Sequence, residues 1–444
     1  MVTKKDFIFF GVISILFWIF FIHPDIMETS NHSYLLLDGI FNGHLRDFYQ
    51  RVELHNNDLY YINNANYNIF VYFLFAIWQL PVYIIQNIFS LPMNENFYFI
   101  WSKGLSVLFY FGCAYVIFRI SLLLGLDNSS AGWAGFAFLL NPVAFFSPMV
   151  MGQYDTICLF FLLVSLYYYI NDDMPRFTLI ISISFLAKFF SVFIFLPLLL
   201  LKEKRFIHII KHCVLAVLPL ALSSVLFRGT SSGFLGEMAS RLIEHKIASI
   251  PLFPSFFSLL LIFCFLRKGE TFKKDCISIA FFVFSSLFLL IDFHPQWVIL
   301  FIPFWVLLVA TQKNKQLYYY MSILLSTTFL LYSFMVFPRA VEWNLLWFGL
   351  FRLIGVDVIV IGFTSFSEFI SSFSSVFANI AAASFSVVLL SVLIFRLPFS
   401  KNGLSLADKG IYHNPKDSKR LLWMCYAIGI SFWMVVTFTG IIIH

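Results

Sequence analysis

The stretch FTLIISISFLAKFFSVFIFLPLLLL, residues 177–201, carries one charge, Lys188, among otherwise apolar or hydroxyl-bearing residues. About 20 mostly apolar residues suffice to cross a bilayer as a helix. Read whole, the stretch is a single crossing with a lysine near mid-bilayer, at a cost of roughly 2.5 to 3.5 kcal/mol. Read as broken at Lys188, it is two short arms that meet with the lysine at a membrane boundary. The choice decides which residues elsewhere in the chain share a side.

Composition makes membrane the frame for that choice. Of 444 residues, 60% are apolar, 12% are charged and 60 are Phe. Ordinary globular domains carry about 25% charged residues, and half that density cannot cover a water-facing surface. A soluble enzyme, a secreted disulfide scaffold and a disordered chain are therefore excluded. The six cysteines lie in or beside apolar segments with no CxxC pair, and read as small packing residues. The net charge of +6 is small for the length, and its Lys and Arg sit in short clusters between apolar runs. That placement suits cytoplasmic loops and implies no nucleic acid.

Those clusters constrain the topology. Lys202, Lys204, Arg205 and Lys211, then Arg267, Lys268, Lys273 and Lys274, then Lys313 and Lys315 belong inside. The first apolar run, residues 6–23, follows Lys4 and Lys5 without a small-residue cleavage site, and reads as a retained signal anchor. An odd number of crossings must then separate its outer end from Lys202. Either 67–90 spans and 177–201 stays whole, or 67–90 lies along the outer interface and 177–201 breaks at Lys188. The second scheme puts Arg119 and Arg176 inside and Met93–Phe97 outside, and is the one adopted. The expectation is an all-α polytopic membrane protein with about thirteen transmembrane helices, interfacial helices in the first outer loop, an outer excursion over Pro338–Ser375 and an outward C-terminus.

Under this scheme the residues able to do chemistry gather at one face. The first outer loop contains LLLDGIFNGHLRDFYQ (35–50), with Asp38, Arg46 and Asp47; a general-base site and a solvated linker both fit it. In NPVAFFSPMVMGQYDTICLFFLL (141–163), Asp155 heads an apolar helix after Gln153, as a site acid or merely a cap. Lys188 either snorkels or neutralises a phosphate. IDFHPQWVILFIPFW (291–305) brings His294 and Gln296 to the end of a hairpin, where a turn with interfacial polar residues is the plain alternative. Arg339 and Glu342 in FPRAVEWN (337–344) read as a surface ion pair or a further contact. There is no Walker P-loop or GxGxxG turn for a nucleotide, and no Cys/His cluster or HExxH for zinc.

The N-terminal anchor, the acid in DGIFNGHLRDFY, the later GQYD, the apolar segment with a central Lys and HPQW together resemble the GT-C glycosyltransferases. The resemblance covers roughly Met1 to Trp305. It implies a catalytic module over residues 1–311, with 312–444 as a C-terminal membrane region. It further implies an enzyme that takes a sugar from a polyprenyl monophosphate on the extracytoplasmic face and passes it, with inversion, to a glycan hydroxyl, with no cofactor and no metal. In this likeness Asp38 is the base, with Asp47 open to sharing the work, and Asp155 is the second acid. Lys188, His294 and Gln296 hold the leaving phosphate, with Gln153, Arg46 and Arg339 as further substrate contacts. The chain lacks the DPY or DxD form that many relatives carry in the first loop. The implied partners are a polyprenyl-phosphate-sugar donor, a glycan acceptor, membrane lipid, a donor-synthesising glycosyltransferase and a small flippase. The setting is the bacterial inner membrane with the site facing the periplasm, in O-antigen or surface-polysaccharide modification. The rivals are an O-antigen polymerase or ligase, which joins glycans from pyrophosphate carriers, and a lipid-linked oligosaccharide flippase, which would spread its charges through the helices.

Overall fold

The computed structural model describes residues 2–55, 65–91, 93–227, 239–267, 272–312, 315–337, 341, 349, 376–394 and 415–442. Arg339, Glu342, the excursion expected over Pro338–Ser375 (apart from Val341 and Gly349) and the loop bearing Lys401 and Lys409 lie outside these residues. The described chain is α-helical apart from a two-residue antiparallel ladder, Lys246–Ile247 against Ile250–Pro251. Among the described residues, six helices are long and apolar enough to cross a membrane, or eight if two bent pairs each count as one span. That number rests on length and composition. A further set of apolar helices runs only 10–17 residues.

Helix α1 (Lys4–Phe20) opens with a capping box, in which Thr3 caps and Asp6 returns the bond to the Thr3 amide at 2.7 Å. Asp6 also accepts from Lys419 at 2.7 Å and Trp423 at 3.2 Å, which ties the first helix to the last, Pro415–Ile442. The chain then turns by 74° into α2 (Pro24–Phe41). Proline holds the preceding His23 extended, and its missing N–H is no loss at the first helical position. A 3₁₀ turn, Leu45–Asp47, and α3 (Phe48–His55) follow.

Helix α4 (Ile69–Asn87) packs along α2 and meets the first turns of α5 (Glu95–Leu123). The indoles of Trp78 and Trp101 stack at 5.0 Å, and each donates to the other's carbonyl, at 2.7 and 2.9 Å. Helix α4 is among the six able to span. Its start lies beside the start of α8 (Asp155–Ile170), through Tyr67 and Phe75 against Tyr154. Between α5 and α8 come α6 (Asn128–Leu139), α7 (Pro142–Phe145) and a π-helical turn, Phe146–Val150.

The break in 177–201 falls at Lys188. Helix α9 (Met174–Ala187) ends there, Lys188 is extended, a 3₁₀ turn covers Phe189–Ser191, and α10 (Val192–Lys202) runs back. Lys188 comes level with Asp155 at the start of α8, and Lys202 with Tyr169 near its end, where it donates to the carbonyl at 3.1 Å. The three segments therefore run up, down and up the same thickness. At the Lys202 end, Lys204 reaches the Cys264 carbonyl at 2.7 Å and Arg267 pairs with Asp275 at 2.9 Å, so the basic clusters share one end of the bundle. Of the six cysteines, five are buried and Cys213 half-buried, all of them free. Helix α11 (Phe206–Leu226) is almost wholly uncovered, with Phe206, Ile207 and Val225 at 70% exposure or more. Such apolar exposure fits lipid, not water.

Candidate active site

At the end of the bundle opposite the basic clusters lies a cavity of about 370 Å³. A second recess, between Trp133, Trp305 and Tyr319, offers only about 30 Å³, room for little more than a water. The large cavity forms where four irregular pieces of backbone converge: the break before α2, the start of α4, the loop after the π-turn and the 3₁₀ turn Pro295–Leu300.

One wall is a face of α2. Asp25, Glu28, Thr29 and His32 follow the i, i+3, i+4, i+7 spacing that aligns side chains on one face. His23, the N-cap, accepts from the Asp25 amide at 3.2 Å, so its Nδ1 orients the acid's backbone. The Asp25 carboxylate accepts a hydrogen bond from the Gln153 amide, yet its side chain remains 40% exposed, open to a ligand. Gln153 is held in turn by its backbone N–H on the Ser147 carbonyl at 2.9 Å. Gly152 beside it has φ +66°, a left-handed conformation that glycine adopts without penalty.

The floor is an ion pair. Lys188 donates to Asp155, and both side chains are almost fully buried. The ammonium also lies 5.0 Å from the Tyr154 ring centroid and 5.6 Å from that of Tyr67, which favours the charged form in an apolar setting. Among the described residues, Asp155 Oδ2 has no hydrogen-bond partner. Opposite stand His294 and Gln296. His294 caps the 3₁₀ turn that Pro295 begins, and its ring lies 5.0 Å from Trp297. Arg241 backs His294 and Trp297, with a nitrogen 3.3 Å from His294 Nε2 and its guanidinium over the Trp297 ring.

Of the residues expected from sequence, the structure thus brings together Gln153, Asp155, Lys188, His294 and Gln296. Asp38 is placed elsewhere, at the far end of α2, about 20 Å along the helix from Asp25. There it pairs with Arg51 and accepts from Asn42 at 2.7 Å. Arg46 and Asp47 are exposed on the turn after α2 and do not line the cavity. Arg339 is outside the described residues. The residues that sequence reading passed over are Asp25, Glu28, His23, His32 and the backing Arg241. A signal existed for four of them: Pro24 marks a helix start, and from there the polar residues recur at helical spacing.

Fold and site together define an all-α membrane protein with a polar, charge-bearing cavity at one end of its helix bundle. No family model, no curated protein and no solved structure matches the chain.

Proposed function

We propose that the chain is a membrane glycosyltransferase of the GT-C kind, which moves a sugar from a polyprenyl phosphate to a hydroxyl of a surface glycan. The observation that supports this reading is the meeting of cationic and acidic groups in one cavity. Lys188 on the floor and His294, backed by Arg241, line it together with two carboxylates, Asp25 and Glu28, on the α2 wall. The cationic groups suit the phosphate of a lipid-borne donor, and neutralising developing charge in a poorly hydrated site accelerates its departure. The carboxylates suit a hydroxyl that must lose a proton.

In this mechanism Asp25, not Asp38, is the base. Its carboxylate takes the acceptor proton as the hydroxyl oxygen bonds to the anomeric carbon. The bond from that carbon to the phosphate oxygen breaks, and the phosphate leaves with the electron pair towards Lys188 and His294. Displacement from opposite faces inverts the anomeric centre. Asp155 holds Lys188 in place and charged, and Gln153 orients Asp25. The proposal extends to the bacterial inner membrane, a periplasmic site and about thirteen membrane-crossing arms. A flippase is the weaker reading because it would spread its charges along a path through the helices, whereas here Asp25, Glu28, Lys188 and His294 gather in one cavity at one end of the bundle.

The deciding experiment compares surface glycans and lipid carriers by mass spectrometry in cells with and without the protein. Loss of one sugar unit from the glycan, with its polyprenyl-phosphate form accumulating, is the expected result. Unchanged glycans with lipid-linked precursors trapped on the cytoplasmic leaflet would favour transport instead.

A further inference from the structure

The bundle holds a second buried lysine. Lys103 sits within α5, fully enclosed, and its ammonium donates to four main-chain carbonyls: Phe17 at 3.0 Å, Trp18 at 3.3 Å, Phe21 at 2.7 Å and Met149 at 2.5 Å. Its hydrogen-bond partners among the described residues are carbonyls alone. A lysine that merely snorkels keeps its head at the surface, and this one has no route there.

We propose that Lys103 is the positioning residue of the cavity, bracing the break after α1 against the π-helical turn before Gly152 and so setting Asp25 against Gln153. The inference takes its catalytic meaning from the reading of Asp25 as base. Helix α1 stops where the chain turns by 74°, and of the carbonyls that Lys103 meets there, Phe17 still accepts from the Phe21 amide at 3.3 Å, whereas those of Trp18 and Phe21 lie past the last helical bond. A cation there satisfies them and meets the negative end of the helix dipole. The same ammonium donates to the Met149 carbonyl, in the π-turn that leads to Gln153, and π-helical turns occur frequently at functional sites.

The stem of Lys103 adds a second constraint. Its Cγ lies 3.3 Å from where a Cβ on Gly152 would stand, and Ser106, one turn along α5, donates to the Gly152 carbonyl at 3.2 Å. One face of α5 therefore grips the loop at Met149 and Gly152 and the break at Phe21. Four residues beyond Phe21 stands Asp25, and four beyond Met149 stands Gln153. The Gln153–Asp25 hydrogen bond closes above the ring that Lys103 closes below. A plain helix cap needs only one of these two elements; a brace needs both.

The test reads geometry and chemistry separately. With the six native cysteines replaced, Asp25→Cys and Gln153→Cys are joined by a short bis-methanethiosulfonate reagent. Asn68→Cys with Ser223→Cys, a pair hydrogen-bonded at 2.6 Å that joins the start of α4 to α11, is the folding control. Lys103→Met should slow the 25–153 cross-link at least about tenfold and leave the control within about twofold, and Lys103→Arg should restore part of the rate. In the otherwise native chain, Lys103→Met should lower kcat for transfer from a polyprenyl-phosphate sugar about 100-fold, the scale of a 1 Å misplacement, with KM within about twofold. An unchanged 25–153 rate, or an unchanged kcat despite a slowed rate, overturns the proposal. Loss of the control cross-link in both Lys103→Met and Lys103→Gln makes Lys103 a general folding residue and overturns it too. A native chain inactive with every donor sinks the enzymatic reading instead, and the cross-link result stands apart from it.

Discussion

Asp25 and Asp38 lie on one helix, and their neighbours set them apart. Asp38 is bound to Arg51 and Asn42 at a surface, whereas Asp25 holds the Gln153 amide, lies 3.3 Å from His23 Nδ1 and opens into the cavity. In a transfer assay with purified protein, Asp25→Asn should cost 10²- to 10⁴-fold, the usual worth of a general base. Asp38→Asn should stay within about threefold and lose at most about 1 kcal/mol, as for a partly exposed ion pair. The reverse ranking would return the base to Asp38. For Lys188, removing one partner of a buried pair strands the other charge, so Lys188→Met should destabilise by roughly 3 to 5 kcal/mol. Adding Asp155→Asn should recover much of the melting temperature. Activity should not return, because the donor phosphate still lacks its cation. Recovery of both would make the pair purely structural.

At the scale of elements, the site depends on backbone that is not regular helix. Gly152 is the sharpest case, since φ +66° and the nearby Lys103 stem both oppose a side chain. Gly152→Ala should lower stability by about 1 to 3 kcal/mol and kcat by more than KM, measured by thermal unfolding and steady-state transfer. An alanine variant that melts and turns over normally would mean the loop tolerates a shift, and the orientation of Gln153 would lose its importance. The sequence pointed to the break at Lys188 through the side on which its basic clusters must lie. It also contains the start of α2, in Pro24 and the polar spacing after it, which a search centred on 35–50 passes over. An acid followed by glycines singles out Asp38, whereas Asp25 belongs to no such pattern.

For the whole molecule, the proposed mechanism requires the cavity and the basic clusters to face opposite sides of the membrane. Asp155 is too buried to report this by labelling, so exposed positions must serve. Single cysteines at Asp38 and Lys246 should react with an impermeant thiol reagent from outside, and one at Arg205 only after the cytoplasmic side is opened. Labelling of 38 and 246 from opposite sides would break the shared-face arrangement on which donor and acceptor both depend.

The sequence by itself determined that this is an all-α membrane chain, because composition and run length are sums over residues that need no knowledge of neighbours. It also favoured a break at Lys188 over an unbroken crossing, because the basic clusters must share one side of the membrane, although a lone charge does not by itself break a helix, as Lys103 within α5 shows. Only the tertiary structure decided which acid meets which cation. Asp155 and Lys188 lie 33 residues apart and Gln153 and Asp25 lie 128 apart, and their meeting follows from a helix break, a π-turn and a buried lysine that joins them. Those contacts depend on direction and distance in space, which local pattern does not contain.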